Sequence, residues 1–391
     1  MQNTPNALRQ QIAIFGQTNV GKSTLFNLLN EHEISIVSNV AGTTANSVKA
    51  SMEFKNLGPT TVIDTAGFND TGELGEKRVK KALEEINKTN FAILVVKNPN
   101  LNEIEKELIN KFNTFKISYF IVCNIFNNEK TSFIENEKMI FLNLKDKKNI
   151  EILKNHIEKT FIIQEEKKLL CGIVKPSQIV LLISPIDKGA PKGRLILPVS
   201  QCLREILELN AFSILTTPLN LDKILQSFKP DLVICDSQCI KDVIDKFDKN
   251  QKITTFSMLF ANFKGDFKEL LNGAYAINNL NKNSKILISE ACLHPKNDED
   301  IARVKIPKML ENYLKFRPKI FYDNGKDFFD SKDNNFDLII HCGGCMINEK
   351  EMINRIKLAR DSNISITNYG MTISLCNGVL ERTSEIFHDL C

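Results

Sequence analysis

The sequence lacks a strong charge of either sign: 51 lysines and arginines against 47 aspartates and glutamates leave a formal net charge of +4 over 391 residues. Without a broad field, neither nucleic acid nor an anionic membrane is implied as a partner, and no Lys/Arg cluster interleaved with aromatics supplies a local one. Also missing is any apolar run near the ~18 residues that suggest a bilayer span. The first eleven residues are polar, with none of the pattern of a secretory signal, so the chain is expected to be cytoplasmic. Repeats of short period and extended low-complexity segments are absent, and Asn/Lys-rich patches such as 278–283 read as turns. What is plentiful is cysteine, with ten in the chain. Outside an oxidising compartment these are expected to be reduced thiols that bind metal or sit in the core. Cys123, Cys235 and Cys376 lie in apolar surroundings and are expected to behave as small core hydrophobes.

The length is too great for one ordinary core and points to three domains. Short apolar runs at 12–15, 61–64, 91–97 and 119–123 alternate with amphipathic stretches, which is the pattern of a mostly parallel α/β sheet. A charged stretch at 164–168 interrupts it, and strand-like runs resume at 178–184, 212–216, 231–235 and 253–256, then at 284–289, 336–341 and 364–368. The expected fold class is therefore α/β throughout, with an N-terminal P-loop domain at 1–165 and two smaller α/β domains at 172–267 and 268–391.

Gly16-Gln17-Thr18-Asn19-Val20-Gly21-Lys22-Ser23-Thr24 contains G-x-x-x-x-G-K-[ST], placed between a predicted strand and a predicted helix. The glycines let backbone N–H groups and the helix N-terminus face phosphate oxygens. Lys22 would reach the β- and γ-phosphates, and the Ser23 hydroxyl would ligate Mg²⁺. Asp64-Thr65-Ala66-Gly67 ends a strand, where the carboxylate holds Mg²⁺ through water and the Gly67 N–H touches the γ-phosphate. Gly42-Thr43-Thr44 supplies a switch threonine, Thr44 before Thr43. Asn19 and the Gly-Thr-Thr segment resemble the MnmE/Era/Der group of GTPases. That resemblance implies that Asn19 helps seat a K⁺ ion near the phosphates. Phe68 occupies the place of a water-orienting glutamine, so slow, K⁺-stimulated turnover is expected. The base motif departs from the group's Asn-Lys-x-Asp: Asn124-Ile125-Phe126-Asn127 loses the lysine and exchanges the carboxylate for an amide, and the Asn143-Leu144-Lys145 loop also diverges. An amide mismatches at least one guanine donor, which weakens base preference, although GTP is still the expected nucleotide.

Cys292-Leu293-His294 and His341-Cys342-Gly343-Gly344-Cys345 form C-x-H…H-C-x-x-C, each half following a strongly apolar strand. Both halves are expected at the carboxyl edge of one parallel sheet. The chemistry admits a structural Cys₃His zinc site. It equally admits a 4Fe-4S cluster on Cys292, Cys342 and Cys345, with the fourth iron left to His294, His341, Glu299 or an exogenous ligand. Asp298-Glu299-Asp300 also reads as an acidic N-terminus for a helix predicted over 301–314.

A P-loop GTPase followed by this cysteine pattern resembles the HydF family of FeFe-hydrogenase maturation GTPases. Asp64-Thr65-Ala66-Gly67 with Gly75-Glu76-Lys77-Arg78-Val79, Ala190-Pro191-Lys192-Gly193-Arg194-Leu195-Ile196-Leu197-Pro198, Asp236-Ser237-Gln238, Phe263-Lys264-Gly265-Asp266, Ile306-Pro307 and Thr367-Asn368-Tyr369-Gly370 all look like that family. The resemblance implies dimerisation through 172–267, a 4Fe-4S cluster in 268–391, and a carrier role. A diiron precursor, built with the radical-SAM maturases HydE and HydG, would be passed to the apo FeFe-hydrogenase, with nucleotide state gating partner contacts. The competing reading is an RNA-linked GTPase of the Era/Der kind carrying a structural zinc module. A third is a nucleotide-binding module without turnover.

Overall fold

The computed structural model describes residues 4–30, 48–68, 82, 84–125, 133–161, 167–186, 195–291, 300–323, 328, 336–344 and 347–388. They fall into two compact units, Met1–Glu166 and Lys167–Cys391.

In the first unit a seven-stranded sheet has the order β2-β3-β1-β4-β5-β7-β6. Its members are β1 (Gln10–Phe15), β2 (Val48–Phe54), β3 (Gly58–Asp64), β4 (Phe91–Val96), β5 (Ser118–Asn124), β6 (Phe133–Asn136) and β7 (Met139–Leu142). Strands β3, β1, β4, β5 and β7 run parallel, while β2 and β6 pair antiparallel at the two edges. All six residues of β4 are buried, the expected pattern for a parallel strand covered on both faces. One face carries α1 (Lys22–Asn30) and α3 (Ile150–Thr160), whose Leu25, Leu29, Leu153 and Ile157 share a core with Ile12, Ile14 and Val122. The other carries α2 (Glu103–Thr114), whose Leu108 and Phe112 meet Ala13, Phe15 and Leu94. Asn102 starts α2 with a reciprocal cap: its side chain accepts the Glu105 N–H, and the Glu105 carboxylate accepts the Asn102 N–H.

The second unit holds two four-stranded parallel sheets. One is ordered β11-β10-β8-β9, from β8 (Ile179–Ile183), β9 (Phe212–Thr216), β10 (Leu232–Cys235) and β11 (Ile253–Thr255). The other is ordered β13-β12-β14-β15, from β12 (Lys285–Ser289), β13 (Lys319–Asp323), β14 (Leu338–His341) and β15 (Ser365–Asn368). Among the helices, α4 (Leu197–Glu208), α5 (Leu221–Ser227) and α6 (Ile240–Ile244) flank the first of these sheets. They are followed by α7 (Phe256–Lys264), α8 (Phe267–Ala276), α9 (Ile306–Leu314), α10 (Glu349–Asp361), α11 (Tyr369–Cys376) and α12 (Leu380–Ser384). One continuous apolar core runs from Val180, Leu182 and Ile234 through Leu259 and Leu270 to Ile286, Ile340 and Ile366. The two sheets therefore form a single unit although each has its own strand set.

The apolar runs read from the sequence coincide with β1, β3, β4, β5, β8–β12, β14 and β15. Sequence reading missed β2, β6, β7 and β13. The reason is visible in β2 (VKASMEF) and β13 (KIFYD): both are edge strands with polar or exposed positions, so neither shows a continuous apolar run. The helix predicted over 301–314 is also not uniform. Asp300 caps it by accepting the Arg303 N–H, but Ile301–Lys305 form a π turn, and regular α9 begins only at Ile306. Pro307 has no N–H to give the preceding turn, so the ladder is relaid there. Cys123 and Cys235 are buried and Cys376 is half-buried; burial pushes the Cys376 thiol up to about 12 and the Cys235 thiol well above its ordinary value, as suits core hydrophobes.

Gly273 marks the tightest helix–strand contact in this unit: a Cβ there would lie 1.9 Å from the Ile366 carbonyl oxygen of β15. Gly273→Ala must separate α8 from β15. It is expected to destabilise the second unit by about 1–3 kcal/mol, read as a lowered urea midpoint with unchanged slope.

Candidate functional site

The nucleotide site grows from the carboxyl end of β1. The chain leaves at Gly16 (φ 147°), where a Cβ would sit 2.4 Å from the Val95 carbonyl oxygen of β4, and enters α1 through Gly21 (φ 109°). Both backbone conformations favour glycine, and together they curl the loop. Lys22 is buried, and its ammonium donates to the Gln17 carbonyl at 2.7 Å, so the charge already lies within the loop. Val20 is buried beneath the loop, while Asn19, Ser23 and Thr24 are exposed along it, Asn19 in the left-handed region at φ 61°. The Ser23 hydroxyl donates to Asp64 Oδ2 at 2.7 Å. Asp64 Oδ1 is buried with no hydrogen-bond partner. A hydroxyl and a carboxylate brought together with one orphaned acceptor suit a hard cation, so the pair fits Mg²⁺. Thr65 anchors the next segment by donating to the Ile14 carbonyl at 2.7 Å, and Gly67 lies so close to the loop that a Cβ would meet Thr18 Oγ1 at 2.2 Å. The Phe68 ring is 6.1 Å from that of Phe15 and packs with the core, so position 68 offers no polar group to water.

A cavity of about 300 Å³ extends from this loop, lined by Asn19, Gly21, Lys22, Ser23, Thr24 and Asn124 together with Ile125, Asn143, Leu144 and Lys145. Asn124 is a brace. Its Nδ2 donates to the Val20 carbonyl at 2.9 Å, and its Oδ1 accepts the Leu144 N–H at 3.4 Å, which ties the phosphate loop to the loop after β7. Asn149 holds that second loop by donating to the Asn143 carbonyl. Ile125 and Lys145 were not singled out as binding residues from sequence; their positions directly after β5 and β7 were the available signal. Thr43, Thr44 and Asn127 lie outside the described residues.

In the second unit β12 and β14 are adjacent and parallel, with Ser289 opposite His341. Cys342 follows β14; its N–H donates to the Ser289 carbonyl at 2.9 Å, and its sulfur accepts the Ala291 N–H at 3.2 Å. The two chain segments that carry the cysteine motif are thus joined at their strand ends. Among the described residues, none lies within 4 Å of a Cβ built on Gly343, and Cys342 itself is buried. A thiol that already accepts a backbone N–H at the carboxyl edge of a parallel sheet fits the role of a cluster or metal ligand. His341 is placed differently from expectation. It is fully buried, with Nδ1 2.6 Å from the Cys342 carbonyl and Nε2 2.8 Å from Arg355 Nη1. Arginine only donates and a carbonyl only accepts, so the ring carries its proton on Nδ1, and neither nitrogen can serve a metal while these bonds hold. Arg355 is in turn paired with Glu351 at 2.6 Å and covers the Phe328 ring. Cys292, His294, Glu299 and Cys345 lie outside the described residues. Among the described residues, no three His, Cys, Asp or Glu side chains converge as a metal-binding group.

Burial raises the Asp64 carboxyl above its ordinary value of 3.8; the Ser23 hydrogen bond and the Lys22 charge oppose that rise. A carboxyl with a raised folded-state pKa costs stability once pH exceeds that pKa, because the folded site holds the charge poorly. Below 3.8, where folded and unfolded chains are both protonated, the cost is gone. Asp64→Asn is therefore expected to raise the melting temperature of the nucleotide-free protein at neutral pH, with the gain fading as pH falls toward 3.8. The same variant should lose Mg²⁺–nucleotide affinity by about 1.5–3 kcal/mol, read by calorimetric titration.

Three family models match the chain. Residues 11–125 match the 50S ribosome-binding GTPase model, residues 169–265 the Hydrogen maturase F dimerization domain, and residues 268–386 the Hydrogen maturase F tetramerization domain. The curated MnmE and Era relatives are similar over less than half of the chain. The tRNA modification GTPase MnmE of Coxiella burnetii is 33% identical over 161 residues, covering 38% of this chain and 34% of the relative. The GTPase Era of Borrelia turicatae is 33% identical over 164 residues, covering 40% of this chain and 53% of the relative. The chain thus spans about a third of the length of the MnmE relatives it matches. Among solved structures, a point variant of Aquifex aeolicus Era bound to GDP·AlF₄⁻ is similar with a TM-score of 0.32 and 19% identity, over 53% of this chain and 92% of that one. The two maturase F models together cover more than half of the chain, directly after a GTPase domain, and the chain belongs to the HydF family of hydrogenase-maturation GTPases.

Proposed function

We propose that this protein is a carrier in FeFe-hydrogenase maturation: it hydrolyses GTP slowly with help from K⁺, binds a 4Fe-4S cluster, holds a diiron precursor and delivers it to the apo-hydrogenase. The observation that carries the reading is the union, in one chain, of a phosphate-binding loop with its Ser23–Asp64 pair and a cysteine at the carboxyl edge of a second parallel sheet, within the two maturase F domains. The working division is a GTPase domain at 1–165, a dimerisation domain at 172–267 and a cluster domain at 268–391. The partners are the radical-SAM maturases HydE and HydG and the apo FeFe-hydrogenase. The compartment is the cytoplasm, and among the described residues no helix is long and apolar enough to cross a membrane.

In the GTPase domain Lys22 and the loop amides bind the phosphates, Ser23 and Thr44 ligate Mg²⁺, and Asp64 holds it through water. Asn19 contributes to a K⁺ site, where the ion adds positive charge beside the phosphates. The core packing of Phe68 supports that need, because no side chain at position 68 can orient the attacking water. In the cluster domain Cys292, Cys342 and Cys345 hold three irons, with His294 or Glu299 the protein candidates for the fourth; His341 supports from behind. When bound, the cluster would supply an iron whose fourth ligand, from His294, Glu299 or an exogenous group, can be exchanged.

Self-association has a physical basis in β9, an edge strand with Phe212 61% and Leu215 40% exposed, next to Leu207 and Leu219, which are also exposed. Apolar side chains on an unpaired parallel edge invite a second copy. We assign this edge to the homodimer.

Anaerobic reconstitution is expected to give about four irons and four acid-labile sulfides per chain, with an EPR signal on reduction that is lost in Cys342→Ser. One zinc with no sulfide would overturn the cluster and favour a structural zinc module. Phosphate release should be faster in K⁺ than in Na⁺ at equal ionic strength and should lose that difference in Asn19→Ala; equal rates in the two salts would remove the K⁺ site.

A further inference from the structure

Lys264 ends α7, at the close of the segment matched by the dimerization model, and is 1% exposed. A buried ammonium is costly unless acceptors take up its protons. Its partners include two main-chain carbonyls of the cluster domain, Gly344 at 3.3 Å and Ile347 at 2.9 Å, and it lies over the Phe260 ring at 5.3 Å. The Gly344 carbonyl also accepts the Ile347 N–H at 3.3 Å. The ammonium therefore bonds to two backbone carbonyls whose residues are themselves joined by a backbone hydrogen bond, and in the sequence Cys345 falls between those two residues. On the other flank, the Cys342 carbonyl is tied inward to His341 and through it to Arg355.

We propose that Lys264 is a positioning residue for the cluster: from the dimerisation segment it holds the Gly344 and Ile347 carbonyls and sets a fixed positive charge on the backbone that follows Cys342. This rests on the cluster-binding reading above. The clamp reduces the freedom of the thiol pair before any metal arrives. The charge favours the more negative, reduced state of a thiolate-bound cluster, so it raises the reduction potential. A lysine that merely filled the core would do neither.

The test uses full-length dimeric protein with Lys264→Met, Lys264→Gln and Lys264→Arg. In metal-free protein, iodoacetamide labelling of Cys342 and Cys345, followed by mass spectrometry, should be about tenfold faster in Lys264→Met than in wild type and close to wild type in Lys264→Arg. In reconstituted protein, an EPR-monitored redox titration should place Lys264→Met and Lys264→Gln at more negative midpoint potentials, with Lys264→Arg restoring the wild-type value. Unchanged labelling and an unchanged potential in Lys264→Met would overturn the proposal. If Lys264→Met loses its dimer or its cooperative melt, Lys264→Gln decides, and a wild-type potential there overturns the role of the charge. Should wild-type protein itself bind no iron and sulfide, the cluster reading fails and takes the charge with it; the labelling experiment still decides the clamp.

Discussion

Parallel strand pairing is the constraint on which the sites depend. A parallel strand cannot be followed directly by its neighbour; the chain must cross over, and where successive crossovers depart to opposite sides of one strand, a crevice opens at the carboxyl ends. In the first sheet β3 lies on one side of β1 and β4 on the other, and the phosphate loop leaves β1 at that point, with Gly16 against the Val95 carbonyl. In the third sheet β13 and β14 flank β12 in the same way, and there Cys342 and Ala291 meet. The phosphate loop and Cys342 occupy equivalent places because the topology brings backbone N–H groups together there at no cost to the core.

The second sheet has the same switch between β9 and β10 across β8, but its carboxyl edge is used for packing. After β10, the Ser237 hydroxyl donates to that of Ser257 at 3.0 Å, and Gly370 at the start of α11 lies so close that a Cβ would meet Ser257 Cβ at 2.1 Å. Lys305 adds a 2.8 Å bond to Gln238. The third sheet is thus docked on the edge that another α/β domain would keep open for a ligand. With the shared apolar core, this docking makes the strand that leads into Cys342 mechanically part of the same body as β8–β11.

These contacts explain what was legible in the sequence. Asp236-Ser237-Gln238, Thr367-Asn368-Tyr369-Gly370 and Phe263-Lys264-Gly265-Asp266 stood out as family-like strings with no assigned work, since each makes a contact more than sixty residues away that local sequence does not reveal. The phosphate loop, by contrast, could be placed and interpreted at once, because its action is written in local backbone geometry: two glycines, a lysine and a serine at fixed spacing. His341 was misread for a related reason. Beside a cysteine it looks like a ligand, but its direction is set by strand alternation and by Arg355, fourteen residues on. Edge strands β2 and β13 escaped notice because burial on one side only, or on neither, removes the continuous apolar run that marks β4 and β14.

The nucleotide site divides its work unevenly between phosphate and base. At the phosphate end, buried Lys22, the curled loop and the Ser23–Asp64 pair supply charge and fixed donors, and they would act on any nucleoside triphosphate. At the base end, Asn124 is engaged in bracing: one amide joins the Val20 carbonyl to the Leu144 N–H, so the two walls of the cavity stand or fall together. Leu144, buried against Gly21, adds bulk rather than a polar contact. Discrimination among bases requires polar groups that a wrong base would leave unpaired. Among the described residues, the asparagine at the base end is committed to the walls of the cavity.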